Sequence, residues 1–143
     1  MRFLPDHAAI FVAEDEPFIA YDLAATIEDA GGVVVGPAAT VKEALALLEN
    51  HSVAAAVLDV NLADEDISPV AELLLARGVP VIFHTGLGVP DELGARFPNL
   101  IVHSKPLDPE KLIRQLAGLI GAHVPILSQQ EAGGVTSPAI ARA

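Results

Sequence analysis

The chain has 143 residues, enough for one domain, and its 52% hydrophobic content is ample for a core covered on both faces of a sheet. A formal net charge of -11 repels phosphate backbones and no lysine or arginine cluster offsets it locally, which argues against direct nucleic-acid binding. Zero cysteines exclude disulfides and thiolate metal sites, and Asp59, Asp64 and Arg77 interrupt the richest apolar region well short of the ~20 residues of a membrane span.

In chain order, apolar runs too short for helices alternate with helix-forming stretches. The amino-terminal MRFLPDHAAIFVAED meets charged residues too soon for a signal peptide, so a cytoplasmic protein without a membrane partner is expected. AIFVA marks a strand near 8–13 and ends on Glu14 and Asp15; Pro17 then starts a helix near 16–30 that Gly31-Gly32 closes. A strand near 33–36 leads to Thr40 and Glu43, a capping box for a helix near 40–49. VAAAVL marks a third strand near 53–58 ending on Asp59, followed by a helix near 67–77. PVIFH marks a fourth near 79–84 ending on Thr85. The glycines and prolines of GLGVPDELGARFPNL leave room for about two helical turns near 90–96, so the fourth helix is expected to be short or mobile. LIVHS marks a fifth strand near 100–103, Lys105 follows it, and a helix near 108–121 completes the pattern. Residues 122–143 mix small residues with Gly and Pro without a period and are expected to be a tail, leaving one domain over 1–121 and no output domain.

Strictly alternating strands and helices imply an α/β, doubly wound, five-stranded parallel sheet of flavodoxin-like order 2-1-3-4-5. In such sheets ligands bind beyond the carboxyl ends of the strands, at the switch point between strands 1 and 3, so Glu14, Asp15, Asp59, Thr85 and Lys105 should converge. Three carboxylates suit a hard divalent cation such as magnesium, while a hydroxyl and an ammonium suit phosphoryl oxygens. Blander roles exist for each residue. Asp59 could cap a turn, Glu14 to Glu16 could favour the first turn of a helix through its dipole, and Thr85 and Lys105 could be an ordinary cap and a solvated charge. A nucleotide or flavin module would want a glycine-rich first turn, but residues 14–18 read EDEPF. An aspartyl-nucleophile phosphatase of the haloacid-dehalogenase type would want a second acid where Asn61 stands.

The acidic pair Glu14-Asp15, Asp59 in AVLDVNL, Thr85-Gly86 and Lys105-Pro106, in this order after these strands, resemble the receiver domain of bacterial two-component response regulators over residues 7–121. That resemblance implies a non-enzymatic, magnesium-dependent phosphoacceptor. Asp59 would take a phosphoryl group from a histidine kinase or a histidine phosphotransfer protein. Glu14, Asp15, Asp59 and the Asn61 main-chain carbonyl would hold magnesium, Thr85 and Lys105 would contact phosphoryl oxygens, and Gly86 would leave space and an N–H beside them. A cis bond between Lys105 and Pro106 would aim the lysine inward. Output would run through contacts with an unknown protein effector; the alternative is a phosphate sink or relay without one. PVIFHTGLG and LADEDISPVAELLLARGVP are similar to the "FAT GUY" receivers, mostly stand-alone alphaproteobacterial regulators, with departures at Val81, His84 and Leu87. Val102 stands where many receivers carry the aromatic switch residue, which leaves the Gly/Pro-rich stretch 86–99 as the moving element. Alternation points His84 away from the face of Thr85, toward a buried, hydrogen-bonded role. His103 also reads as structural, and His7, His51 and His123 show no metal-ligand spacing.

Overall fold

The computed structural model describes residues 4–63 and 65–122. Five parallel strands, β1 (Ala9–Ala13), β2 (Val33–Ala38), β3 (Ala55–Asp59), β6 (Val81–Thr85) and β7 (Ile101–Ser104), form one sheet in the order β2-β1-β3-β6-β7. The helices are α1 (Pro17–Asp29), α2 (Val41–Glu49), α3 (Ser68–Ala76), α4 (Asp91–Arg96) and α5 (Pro109–Ala122). The expected order and alternation hold, and α4 is indeed short. Two further strands, β4 (Asn61–Leu62) and β5 (Glu65–Asp66), pair antiparallel in a small hairpin directly after Asp59 that the apolar pattern did not signal. Apart from residue 122, the expected tail lies outside the described residues.

Alternation along the strands divides the core into two layers. Phe11, Ala13, Ala56, Leu58, Val81 and Phe83 face α2 and α3 with Leu48, Val70 and Leu74. Ile10, Val12, Ala55, Val57 and Ile82 face α1 and α5 with Leu23, Ile27, Leu112 and Leu116. Because β3 and β6 are covered on both sides, their strands are apolar without a polar face, and their first charged or hydroxylated side chains come where the cover ends.

Helix ends follow local chemistry. Thr40 Oγ1 accepts the Glu43 N–H at 3.0 Å, while Glu43 Oε1 reaches one residue further back than in a standard capping box, to the Ala39 N–H at 2.7 Å. At the end of α1 the Gly31 N–H donates to Glu28 and the Gly32 N–H to Ile27, with Gly31 at φ 95°, a Schellman closure that lets β2 start at once. Within β2, Gly36 has φ 107° and a Cβ there would lie 2.6 Å from the Val12 carbonyl oxygen, so only glycine fits. This residue marks the irregularity that realigns β2 so that Ala38 pairs with Ala13 and accepts the Glu14 N–H at 2.9 Å. Among the described residues no helix is long and apolar enough to cross a membrane.

Candidate functional site

The carboxyl ends of β1 and β3 bring Glu14, Asp15 and Asp59 together, and one carboxylate oxygen from each lies within 4.8 Å of the others. Lys105, entering from the end of β7, places Nζ 3.3 Å from Glu14 Oε1 and 3.4 Å from Asp59 Oδ2. Its backbone N–H donates to the Thr85 carbonyl at 2.7 Å, and the bond to Pro106 is cis, as expected. The first-turn readings for Glu14 and Asp15 give way to this convergence. Glu16, by contrast, does flank α1, whose first residue is Pro17.

The three acids differ in environment. Asp15 is exposed, and its Oδ2 accepts the Ala63 N–H at 3.0 Å. Asp59, 6% exposed, accepts the Asn61 N–H on Oδ1 at 3.2 Å and the Lys105 ammonium on Oδ2. This brings the Asn61 backbone to the edge of the cluster. Glu14 is 2% exposed; Oε2 accepts the Glu16 N–H at 3.1 Å, but Oε1 has Lys105 as an ion-pair partner and no geometrically formed hydrogen bond. Burial pushes Glu14 up to about 7, with the Asp59 charge adding to the rise and Lys105 opposing it. For Lys105 burial works against the charge, but the carboxylates of Glu14 and Asp59 outweigh it and hold the ammonium above its ordinary value. A buried carboxyl short of donors beside two more carboxylates is a donor set that fits a hard dication, and Lys105 alone does not balance it.

Thr85 is buried at the end of β6, but its hydroxyl serves the following turn: Oγ1 donates to the Gly88 carbonyl at 2.9 Å and accepts the Leu87 N–H at 3.2 Å. A Cβ on Gly86 would make ordinary contacts of 3.7 Å with the Lys105 side chain. Leu87 is 96% exposed at the tip of that turn.

His84 departs from expectation. It is buried as anticipated, at 1% exposure, but neither ring nitrogen has a hydrogen-bond partner; the ring lies 5.4 Å from that of His103 and its Nδ1 lies 3.9 Å from Glu14 Oε1. Alternation gives its side of the sheet but not its lack of partners. In register, His84 pairs with Asp59, so counting by twos puts it on the α1–α5 side with Glu14 and Asp59. His103 is structural: Nε2 accepts the Asp108 N–H at 3.0 Å and Nδ1 donates to Gln115 Oε1 at 2.8 Å. Ala63 was also missed, because a backbone donor at φ 51° leaves no trace in residue type.

No family model matches the chain. Over 103 residues, 70% of the chain, it is 36% identical to the phyllosphere-induced regulator PhyR of Methylorubrum extorquens, of which it spans 39%. It is similar to the solution structure of SdrG from Sphingomonas melonis Fr1 at 38% identity and TM-score 0.69, covering 84% of this chain and 99% of SdrG. The receiver (REC) domain of the response regulator PhyR from Erythrobacter litoralis matches at 25% identity and TM-score 0.73, covering 84% of this chain and 95% of that domain. The chain thus spans about two-fifths of the curated relative but nearly the whole of the two solved structures. Identity at this level along almost all of SdrG, on the strand order that brings Asp15 to Asp59, makes this chain a member of the receiver-domain response regulators.

Proposed function

We propose that Asp59 accepts a phosphoryl group from a phosphohistidine on a histidine kinase or histidine phosphotransfer protein. A carboxylate oxygen of Asp59 attacks phosphorus, the N–P bond breaks as the O–P bond forms, and the imidazole leaves. The observation that carries the reading is the convergence of three carboxylates within 4.8 Å, with the Lys105 ammonium bridging two of them, at the switch point of the sheet. Glu14, Asp15, Asp59 and the Asn61 main-chain carbonyl would hold magnesium. When bound, that ion supplies the charge that lets dianionic phosphate approach an acidic pocket. Lys105 leaves Asp59 Oδ2 to pair with a phosphoryl oxygen, and the Gly86 N–H would donate to another.

Thr85 links the chemistry to the signal. Its hydroxyl holds the Gly88 carbonyl, so turning that hydroxyl toward a phosphoryl oxygen releases the start of the 86–99 segment. Val102 offers no aromatic ring to move behind it. On this reading the protein works in the cytoplasm and signals by changing the surface it offers a protein effector. Incubation with acetyl phosphate and magnesium, followed by intact mass measurement, should show one added phosphoryl group in the wild type and none in Asp59→Asn. Equal incorporation in the variant would remove Asp59 from the role.

A further inference from the structure

Two buried polar groups face each other beside the cluster without a hydrogen bond between them. Glu14 Oε1 and both ring nitrogens of His84 are the buried side-chain atoms that lack a hydrogen-bond partner among the described residues. His84 Nδ1 is 3.9 Å from Glu14 Oε1, about 1 Å beyond hydrogen-bond distance. Buried polar atoms are nearly always hydrogen-bonded, so two such groups this close without a bond point to a state in which they meet.

In the present state Lys105 Nζ lies 3.3 Å from Glu14 Oε1 as its ion-pair partner. If the lysine moves to a phosphoryl oxygen, this oxygen loses its partner while remaining sealed from water. His84 is the neighbour that can replace it. Its ring is packed against His103, and that residue has no donor to spare: Nε2 accepts from Asp108, Nδ1 donates to Gln115, and the Gln115 amide donates on to Val102. His103 is therefore a fixed wall, and Glu14 Oε1 is the buried acceptor that lies 3.9 Å from His84 Nδ1. A neutral imidazole carries one N–H, and the tautomer with that proton on Nδ1 can donate it to a carboxylate oxygen.

We propose that His84 is a positioning residue for the phosphorylated state: as Lys105 turns to the phosphoryl group on Asp59, the His84 Nδ1–H takes its place on Glu14 Oε1 and holds that carboxylate for the metal. The inference rests on Asp59 being the phosphoacceptor. It assigns to His84 a role that the neighbouring carboxylates and Lys105 cannot perform, because they are acceptors or have already left.

The test uses the full chain labelled with 15N-histidine, with magnesium, before and after addition of beryllofluoride as the phosphoryl mimic. The His84 Nδ1 proton should become slow to exchange and shift downfield only in the beryllofluoride state, and Asp59→Asn should abolish this response. His84→Ala and His84→Phe should both weaken beryllofluoride binding on the order of tenfold, since a neutral donor to a buried carboxylate is lost in each. The effect should exceed any loss of magnesium affinity in the resting protein. Weakening in the alanine variant alone would mean that ring bulk matters rather than the N–H, and would overturn the proposal. So would a ring signal that stays the same, or that shows the proton on Nε2, while beryllofluoride binds. Failure of the wild type to bind beryllofluoride at all would remove the phosphoacceptor reading along with it.

Discussion

Asp15 is exposed yet accepts the Ala63 N–H, so substitutions there act on the acidic cluster and on the β4–β5 hairpin together. The two effects separate by choice of side chain. Asp15→Asn removes the charge but keeps an oxygen for Ala63, and should lower magnesium affinity strongly while the Ala63 amide stays protected from exchange. Asp15→Ala should also lose that protection and about 1 kcal/mol of hairpin stability. Equal protection in both variants would show that the hydrogen bond does not hold the hairpin. Glu14 carries a pH dependence of the opposite sign to most carboxylates. Its folded value of about 7 lies above its ordinary 4.5, so the folded state holds a proton that the unfolded chain has lost. The resulting stabilisation is complete below about pH 4.5 and disappears as pH rises through about 7. In cation-free buffer the thermal midpoint of the wild type should therefore fall, relative to Glu14→Gln, between about pH 5 and about pH 8. Magnesium should reduce the fall by stabilising the ionised form, and parallel profiles would show that Glu14 is ionised throughout. Sequence located these acids because they end apolar runs. The orphaned state of His84 was not legible, since it depends on the side chains around it, and a lone buried histidine usually finds a partner.

The 86–99 segment is held by few tethers, and their relative strengths follow from chemistry. Thr85 bonds Gly88 and Leu87, Leu93 is the buried residue of α4, Phe97 lies against Phe83 with ring centroids 6.2 Å apart, and Arg96 pairs with Glu72 on α3. The Arg96–Glu72 pair is about half exposed on both sides, and such pairs contribute roughly 0.2–1 kcal/mol. Phe97 is partly buried, and truncating it should cost more, about 2 kcal/mol, through lost packing on β6. Denaturant unfolding of Arg96→Ala and Phe97→Ala should rank them in that order, and a larger loss in Arg96→Ala would make the ion pair the principal tether. Thr85→Ala should raise exchange at the Leu87 amide yet leave Asp59 phosphorylatable, because the hydroxyl serves the turn and is not the nucleophile. The brevity of α4 could be foreseen from its glycines and prolines. The β4–β5 hairpin could not, because its strands are two residues each and polar except for the buried Leu62: Glu65 reaches the Val41 N–H at the start of α2, and Asp66 takes both the N–H and the hydroxyl of Ser68. Those bonds are made by side chains to distant or turning backbone, which a hydrophobic period does not record.

The order β2-β1-β3-β6-β7 was legible because parallel strands covered on both faces read as uninterrupted apolar runs, and right-handed crossovers leave few ways to arrange them. That topology alone delivers Asp15 to Asp59. It also gathers three carboxylates at one end of a chain whose net charge is already -11, so metal-free folding works against repulsion at two ranges. Long-range repulsion among exposed charges is screened over about 8 Å at physiological ionic strength, and any salt relieves it. Repulsion inside the cluster is short-range and partly buried, and sodium chloride should relieve it little. A divalent cation bound there should instead stabilise by mass action, about 1.4 kcal/mol at ten times its dissociation constant. The wild type should accordingly show a modest rise in thermal midpoint with sodium chloride and a larger, saturable rise with magnesium at matched ionic strength. Asp15→Asn should keep the first and lose most of the second. Coincident curves for the two salts would mean that the acidic end responds to ionic strength alone, and the cluster would then be a repulsive surface and not a cation site.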